Sequence, residues 1–490
     1  MSAGNGGLSC ALAGEAALVA GALVVLAVDL TLTRGRPLAT RWRTTTVVGL
    51  ASILAAIFLV LRVGAAGPMA GGGFMLDALG TGTRVGVLTL AGLTLLVAAG
   101  TARLRHPAEF VAIVLLATTG FTLMAVTQQL LLGFLAIELA SLSLYVLAGF
   151  DKTRPESAEA GLKYFLLGGM SAAFLLFGFS LLYGLTGSIE LPQMAATLAQ
   201  QGLTPLLLVA LVMILVAFGF KAAAAPFHLW APDVYEGAPI PAAALVASAS
   251  KLAGLTFFAR LLWPGLGAVA GSLATRHGAP GWLPVLAVMS AASLLVGNFG
   301  ALVQTNLRRL LAYSAIAHAG ALLLGVMAAG TAGPAPLFYY AATYGLATVG
   351  AFGVVAVLER AGVGPRLTDL AGLYRRSPLL AGCLMIFILS LAGIPPLAGF
   401  FGKFAVFAAA LKIGGLAGPA GWLAFAAIFL SAVALYYYLI VLKHALVTAP
   451  VAGAEGRIAV PFTAACALVI AGLLLVVLGL CPTLLLGIFP

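Results

Sequence analysis

Apolar residues run along this chain in blocks close to the ~20 residues that a helix needs to cross a bilayer. Marking these blocks between polar or Pro/Gly-rich breaks predicts fourteen spans, near residues 11–33, 45–64, 84–101, 108–126, 128–150, 160–186, 204–235, 240–263, 282–303, 309–330, 335–359, 378–412, 420–445 and 459–487. The short alternating segments of a membrane barrel are missing. The seventh and twelfth blocks are over-long and interrupted. The fourth and fifth are nearly continuous, so a tight turn is predicted around Thr127-Gln128. The predicted fold class is an all-α polytopic membrane protein with about fourteen transmembrane helices, the seventh and twelfth of them discontinuous.

Composition supports that class. Of 490 residues, 62% are hydrophobic and 8% charged, against about 25% charged in soluble domains. An ordinary water-soluble enzyme is excluded. The cysteines Cys10, Cys383, Cys466 and Cys481 stand alone, with no C-x-x-C spacing for zinc or an iron–sulfur cluster. No basic residue precedes the first apolar block and no clean cleavage site follows it. It is therefore expected to be a retained helix and not a signal peptide.

A net charge of +11 would suit a nucleic-acid partner, but its placement argues otherwise. One set of alternate loops collects sixteen basic residues: Arg34, Arg36, Arg41, Arg43, Arg103, Arg105, Lys152, Arg154, Arg308, Arg309, Arg360, Arg366, Arg375, Arg376, Lys443 and Arg457. The opposite set has five, namely Arg62, Arg84, Arg260, Arg276 and Lys412. This is a positive-inside bias. It predicts an integral protein of a bacterial inner membrane with both termini on the non-cytoplasmic side. The partner this charge implies is a lipid bilayer, not nucleic acid.

Four lysines fall in neither set. Lys163, Lys221, Lys251 and Lys403 lie inside apolar spans, and Glu138 joins them about eleven residues from either end of the fifth. A charge at the bilayer centre costs roughly 2.5–3.5 kcal/mol on insertion scales. Snorkelling to the headgroups is an alternative for Lys163, a turn or two past its loop. Glu138, Lys221 and Lys251 are too deep for it, and Lys403 is intermediate. Desolvation favours a neutral lysine and a nearby carboxylate favours a charged one. A buried Glu–Lys pair with further lysines beyond it can therefore take up and release protons as a coupled set.

The breaks fall beside these charges. In FKAAAAPFHLWAPDVYEGAPIP, Pro226 and Pro232 follow Lys221; in SLAGIPPLAGFFGKF, Pro395 and Pro396 precede Lys403. Each proline removes a backbone donor, and freed carbonyls at membrane depth are tolerated only inside protein or beside water. Hydrated pockets are predicted at both places. The broken spans are five apart, an odd number, so equivalent elements would run in opposite directions. Two inverted five-helix repeats are predicted, spans 4–8 (residues 106–263) and 9–13 (282–446). A three-helix segment (1–105) and a last helix (447–490) flank them.

KAAAAPFHLWAPDVYEGAP, FLAIELASLSLYVL, LRRLLAYSAIAHAG and LAGIPPLAGFFGKF resemble the antiporter-like membrane subunits of proton-pumping NADH:quinone oxidoreductase, respiratory complex I. The likeness covers roughly residues 105–445. Lys403 in place of a glutamate, short loops and no further helix after the fourteenth make the N-type subunits, of the mitochondrial subunit 2 type, the nearest match. Glu15 follows Gly14 and not the proline usual at the family's start, a departure from the pattern. The resemblance implies that Glu138 pairs with Lys221, and that Lys251 carries the proton towards Lys403 and an exit half-channel. It also implies an accessory role for Lys163 and places His228 and His318 near the polar axis. Tyr436, Tyr437 and Tyr438 read as packing aromatics.

The resulting expectation is a non-redox, proton-translocating subunit of an oxidoreductase complex. No catalytic, cofactor or metal site is expected in this chain. NADH, FMN, iron–sulfur clusters and quinone are expected in partner subunits, and further antiporter-like subunits are expected beside it. A subunit of a multisubunit sodium/proton antiporter or a membrane-bound hydrogenase would carry the same buried chemistry and stays open.

Overall fold

A computed structural model describes residues 8, 10–69, 72–101, 104–273, 278–450 and 456–489. Arg103 and Arg276 lie outside the described residues. The chain is helical almost throughout. In order come α1 (Ala13–Val28), α2 (Leu38–Val63), α3 (Ala78–Thr101), α4 (Pro107–Val126), α5 (Leu130–Ala148) and α6 (Pro155–Thr186). The short α7 (Leu191–Gln201) leads to α8 (Pro205–Ala222), α9 (Trp230–Gly237), α10 (Ile240–Ala247) and α11 (Ala249–Arg260). Then follow α12 (Trp282–Leu302), α13 (Leu307–Ala332), α14 (Ala335–Arg360), α15 (Pro378–Ala392), α16 (Ala398–Gly414), α17 (Pro419–Leu442) and α18 (Phe462–Leu480).

Among the described residues, thirteen helices are long and apolar enough to span a membrane. The one remaining predicted span, the twelfth, is the split pair α15 and α16. Each predicted block therefore has a counterpart, and the seventh and twelfth are broken where the prolines fall. Several features were not foreseen. β1 (Gly67–Met69) and β2 (Phe74–Leu76) form a small antiparallel hairpin, with Pro68 opposite Met75. α7 does not cross the membrane; its buried face is Leu191, Met194 and Leu198. The eighth span is interrupted at Ser248.

Arg84 is a correction. Counted above as a loop residue, it lies inside α3, which starts at Ala78, and is 1% exposed. Its guanidinium donates to Glu15 Oε2 at 2.6 Å and to the Ala11 carbonyl at 3.0 Å. Pairing is what lets a buried charge persist. Arg260 is a second such case, buried at the end of α11, ion-paired to Asp77 and donating to the Ala125 carbonyl at 2.8 Å.

Burial divides the bundle. The most apolar stretches of Ile240–Gly265 and Ala335–Arg360 are entirely buried and that of Leu307–Ala332 is 94% buried, against 33% for Ala13–Thr33 and 28% for Leu38–Val63. α10, α11, α13 and α14 thus form the centre. Without a hydrophobic force between helices in lipid, close packing relies on small residues. A Cβ on Gly120 of α4 would lie 2.7 Å from the Ala140 nitrogen of α5, and one on Gly297 of α12 would lie 2.3 Å from that of Ala317 in α13.

Candidate functional site

α8 stops for a local reason. Ala223 takes a left-handed conformation (φ 57°), and Pro226, three residues on, has no N–H to continue the ladder. Lys221, the last residue but one of α8, is buried there. Its Nζ donates to Ser141 Oγ at 3.0 Å. Ser141 lies three residues after Glu138 on α5, so both share one helix face. Glu138 and Lys221 line a common cavity with Ser141, Tyr145 and Ser171. Its volume of about 20 Å³ is room for about one water. The two charges are not in ion-pair contact. Ser141 and that space link them.

A second small cavity, about 10 Å³, lies between Lys221 and Lys251, walled by Phe218, Gly254, Leu255 and Phe258. Lys251 sits three residues past the break at Ser248, whose Oγ turns back to the Ala244 carbonyl at 2.6 Å. The buried Nζ of Lys251 donates to the Ala315 carbonyl of α13 at 2.6 Å and stands 5.5 Å over the Tyr344 ring. A cation over an aromatic face is stabilised electrostatically.

His318 follows Ala315 by three residues on α13. Its Nδ1 is 2.7 Å from the Tyr340 hydroxyl and its Nε2 is 3.2 Å from that of Tyr438. Tyr438 also hydrogen-bonds to Ser314. The Tyr344 ring lies 4.8 Å from the imidazole, so Tyr344 touches both Lys251 and His318. Gly402, the residue before Lys403, packs against Tyr340.

Lys403 completes the line. α15 ends at Gly393, left-handed at φ 85°, followed by Ile394 and the two prolines. Lys403 Nζ, on the other side of this break, donates to the Ala392 carbonyl at 2.9 Å. That carbonyl belongs to the unsatisfied negative end of α15, where a cation is favoured. A cleft of about 350 Å³ opens sideways from Lys403 between α16 and α17, past Phe400, Phe404, Phe407, Phe425 and Ile428. Lys221 precedes its break and Lys403 follows its own. The two lysines are thus placed differently about otherwise similar interruptions.

Glu138, Lys221, Lys251, His318 and Lys403 therefore occupy one succession through the bundle, half-buried at Glu138 and buried from Lys221 onward. Lys163 and His228 do not join it. Lys163 has a side chain 42% exposed and pairs with Asp233 and Glu159, each at 2.6 Å. Asp233 also meets Arg309 at 3.1 Å, and Arg309 meets Glu236 at 2.9 Å. This network lines a vestibule of about 530 Å³ with Arg154, Arg308 and Glu359, on the face of the basic loops. His228 is half-buried in the turn after Pro226, its Nδ1 buried with no hydrogen-bond partner among the described residues.

The comparison with protein families picks out the same stretch. A family described as NADH:quinone oxidoreductase/Mrp antiporter, transmembrane, matches residues 127–433. The chain belongs to this family. NADH-quinone oxidoreductase subunit N 2 of Acidobacterium capsulatum is 48% identical over 484 residues, 96% of either chain. NADH-quinone oxidoreductase subunit N 1 of Roseiflexus castenholzii is 40% identical over 85% of this chain and 79% of its own. Among solved structures, a chain of respiratory complex I from Thermus thermophilus, determined with bound aureothin, is 34% identical. That match covers 97% of this chain and 98% of the other, with a TM-score of 0.78. Outside the matched family stretch, Tyr438 still reaches His318.

Sequence reasoning missed the hydroxyls of the site. Ser141, Ser314, Tyr340, Tyr344 and Tyr438 connect the charged residues, yet serine and tyrosine are tolerated throughout apolar helices and raise no signal of their own. A hydroxyl one turn from a buried charge, as Ser141 is from Glu138, is the pattern that could have marked them.

Proposed function

We propose that this chain is the N subunit of a proton-pumping NADH:quinone oxidoreductase in a bacterial inner membrane. It moves protons along Glu138, Lys221, Lys251, His318 and Lys403 while NADH, FMN, iron–sulfur clusters and quinone are bound by partner subunits. The basic-loop face is the cytoplasmic one, and both termini lie on the other side. Residues 106–263 and 282–446 act as inverted repeats, flanked by 1–105 and 447–490. Lys163 and the vestibule around Asp233 serve proton supply at the cytoplasmic face, and His228 lies beside the first break. Further antiporter-like subunits are its neighbours.

One observation carries the reading. Three lysines deep in the bundle are bound only to hydroxyls and carbonyls, with water-sized spaces on both sides of Lys221. None of the three has a carboxylate in ion-pair contact among the described residues, so each is held by neutral groups and can exchange a proton with what lies next along the line. The test is NADH-driven proton uptake into inside-out vesicles holding the assembled complex. Lys221→Ala and Glu138→Ala should each lower it by about half, since each removes a positioned group that takes up and hands on the proton. An assembled Lys221→Ala complex pumping at the wild-type rate overturns the assignment. A chain that purifies without any redox arm and exchanges sodium for protons would place it instead in a sodium/proton antiporter.

A further inference from the structure

α17 carries three successive tyrosines, and the helix turns them differently. Tyr436 is 63% exposed, whereas Tyr437 and Tyr438 are 1% exposed. Packing would be satisfied by phenylalanine at both inner positions. Here both hydroxyls are used. Tyr437 donates to Asn298 Oδ1 of α12 at 3.2 Å, and Tyr438 bonds to Ser314 and to His318 Nε2. The two rings lie 4.5 Å apart, centroid to centroid. A hydroxyl donates one hydrogen bond and accepts up to two, so Tyr438 can take a proton from one neighbour as it gives one to the other.

These groups are not needed to lead from Lys251 towards Lys403, a direction that Tyr344, His318 and Tyr340, packed against Gly402, already take. They lead elsewhere. α13 begins at Leu307 on the basic-loop face. At a rise of 1.5 Å per residue, Ser314 is about 10 Å in from that end and His318 about 16 Å. Asn298, four residues before the end of α12 at Leu302, is about 6 Å in. The polar groups thus rise in steps from that face to the middle of the line.

The outer end of the series is His444. It stands seven residues after Tyr437, two helical turns on the same face, in the π-turn Lys443–Val447 that closes α17. His444 is partly exposed, and its Nδ1 is buried with no hydrogen-bond partner among the described residues. One ring therefore touches solvent and also points an unused nitrogen inward.

We propose that His444, Tyr437, Tyr438 and Ser314 form a second uptake branch, feeding protons from the basic-loop face to His318 without passing Glu138 or Lys221. In the step at its centre, the Tyr438 O–H bond breaks as its proton passes to His318 Nε2. The Tyr438 oxygen takes the Ser314 hydroxyl proton, and Ser314 is reprotonated from the His444 side through water. No electrons move. Asn298 is a positioning residue that aims the Tyr437 hydroxyl.

The branch rests on the relay proposed above, and the experiment separates the two. Protons pumped per NADH oxidised are measured for the whole complex in vesicles. Tyr438→Phe and Ser314→Val should lower the ratio by about half, while Ser314→Thr, equal to valine in size but keeping a hydroxyl, should restore it. His444→Ala should lose the same share of pumping and regain it on addition of imidazole, which a packing role for His444 would not allow. Wild-type ratios in Tyr438→Phe and Ser314→Val, with Lys251→Ala inactive, overturn the branch and leave the relay standing. Equal losses in Ser314→Thr and Ser314→Val also overturn it, since volume alone would then matter. Wild-type pumping by Lys251→Ala removes the relay itself.

Discussion

Ala223 and Gly393 occupy the same left-handed corner at the end of a broken helix, and only one of them is suited to it. A side chain in that region costs about 1–2 kcal/mol. Ala223→Gly should therefore raise stability by about 0.5–1 kcal/mol, after the extra chain entropy of glycine is set against the relief. Gly393→Ala should do the reverse, losing about 1–3 kcal/mol. Its new Cβ would also lie 2.9 Å from Lys403 Cδ and push the ammonium off the Ala392 carbonyl, so pumping should fall with it. Thermal melting of the purified complex, paired with vesicle pumping, checks both signs. At this scale the sequence was readable wherever a residue is expensive in lipid. Glu138 and the lysines stand out because nothing cheap explains them. The Glu15–Arg84 pair was missed because each partner lies near the end of an apolar block and reads as a loop charge. Tyr438 was missed because a tyrosine is equally at home in a core, an interface or a proton path.

Helices were legible to within a few residues, and so were the two breaks written in proline. The break at Ser248 was not. No proline or glycine adjoins it, and only the serine hydroxyl bonding back to Ala244 accompanies the change of backbone. Interruptions made by tertiary packing leave no local mark. Close approach of helices is just as quiet in sequence, because Gly is frequent in membrane spans whether or not it packs tightly. Gly297 sits against the backbone of Ala317, next to His318, whereas a Cβ added at Gly382 on α15 would meet no atom within 4 Å. Gly297→Ala should thus force α12 from α13, cost about 1–3 kcal/mol as overpacking does, and slow pumping by displacing His318. Gly382→Ala should leave melting temperature and pumping at wild-type values. Equal behaviour of the two variants would mean that the α12–α13 contact does not set the position of His318.

Across the whole molecule, charge and burial divide the work. Basic side chains gather on one face, apolar ones cover the peripheral helices, and the middle of the titratable line, Lys251 and His318, sits on helices that are almost wholly buried. The orientation that follows is open to a direct check. Alkaline phosphatase, active only outside the cytoplasm, should be inactive when inserted in the 361–366 loop and active in the 415–418 loop. The opposite pattern would invert the direction of every path described. Neighbouring chains leave little trace in composition, because a surface that meets another membrane protein is as oily as one that meets lipid.

The sideways cleft at Lys403 follows from that last point. Five aromatic or aliphatic walls and one ammonium make a chamber with a missing side, and whatever borders it decides whether the final charge faces hydrocarbon, a sealed cavity or another polar group. Lys403 thus differs from Lys221 and Lys251, which border only small cavities within this chain: its surroundings are left open for lipid or a neighbouring chain to complete.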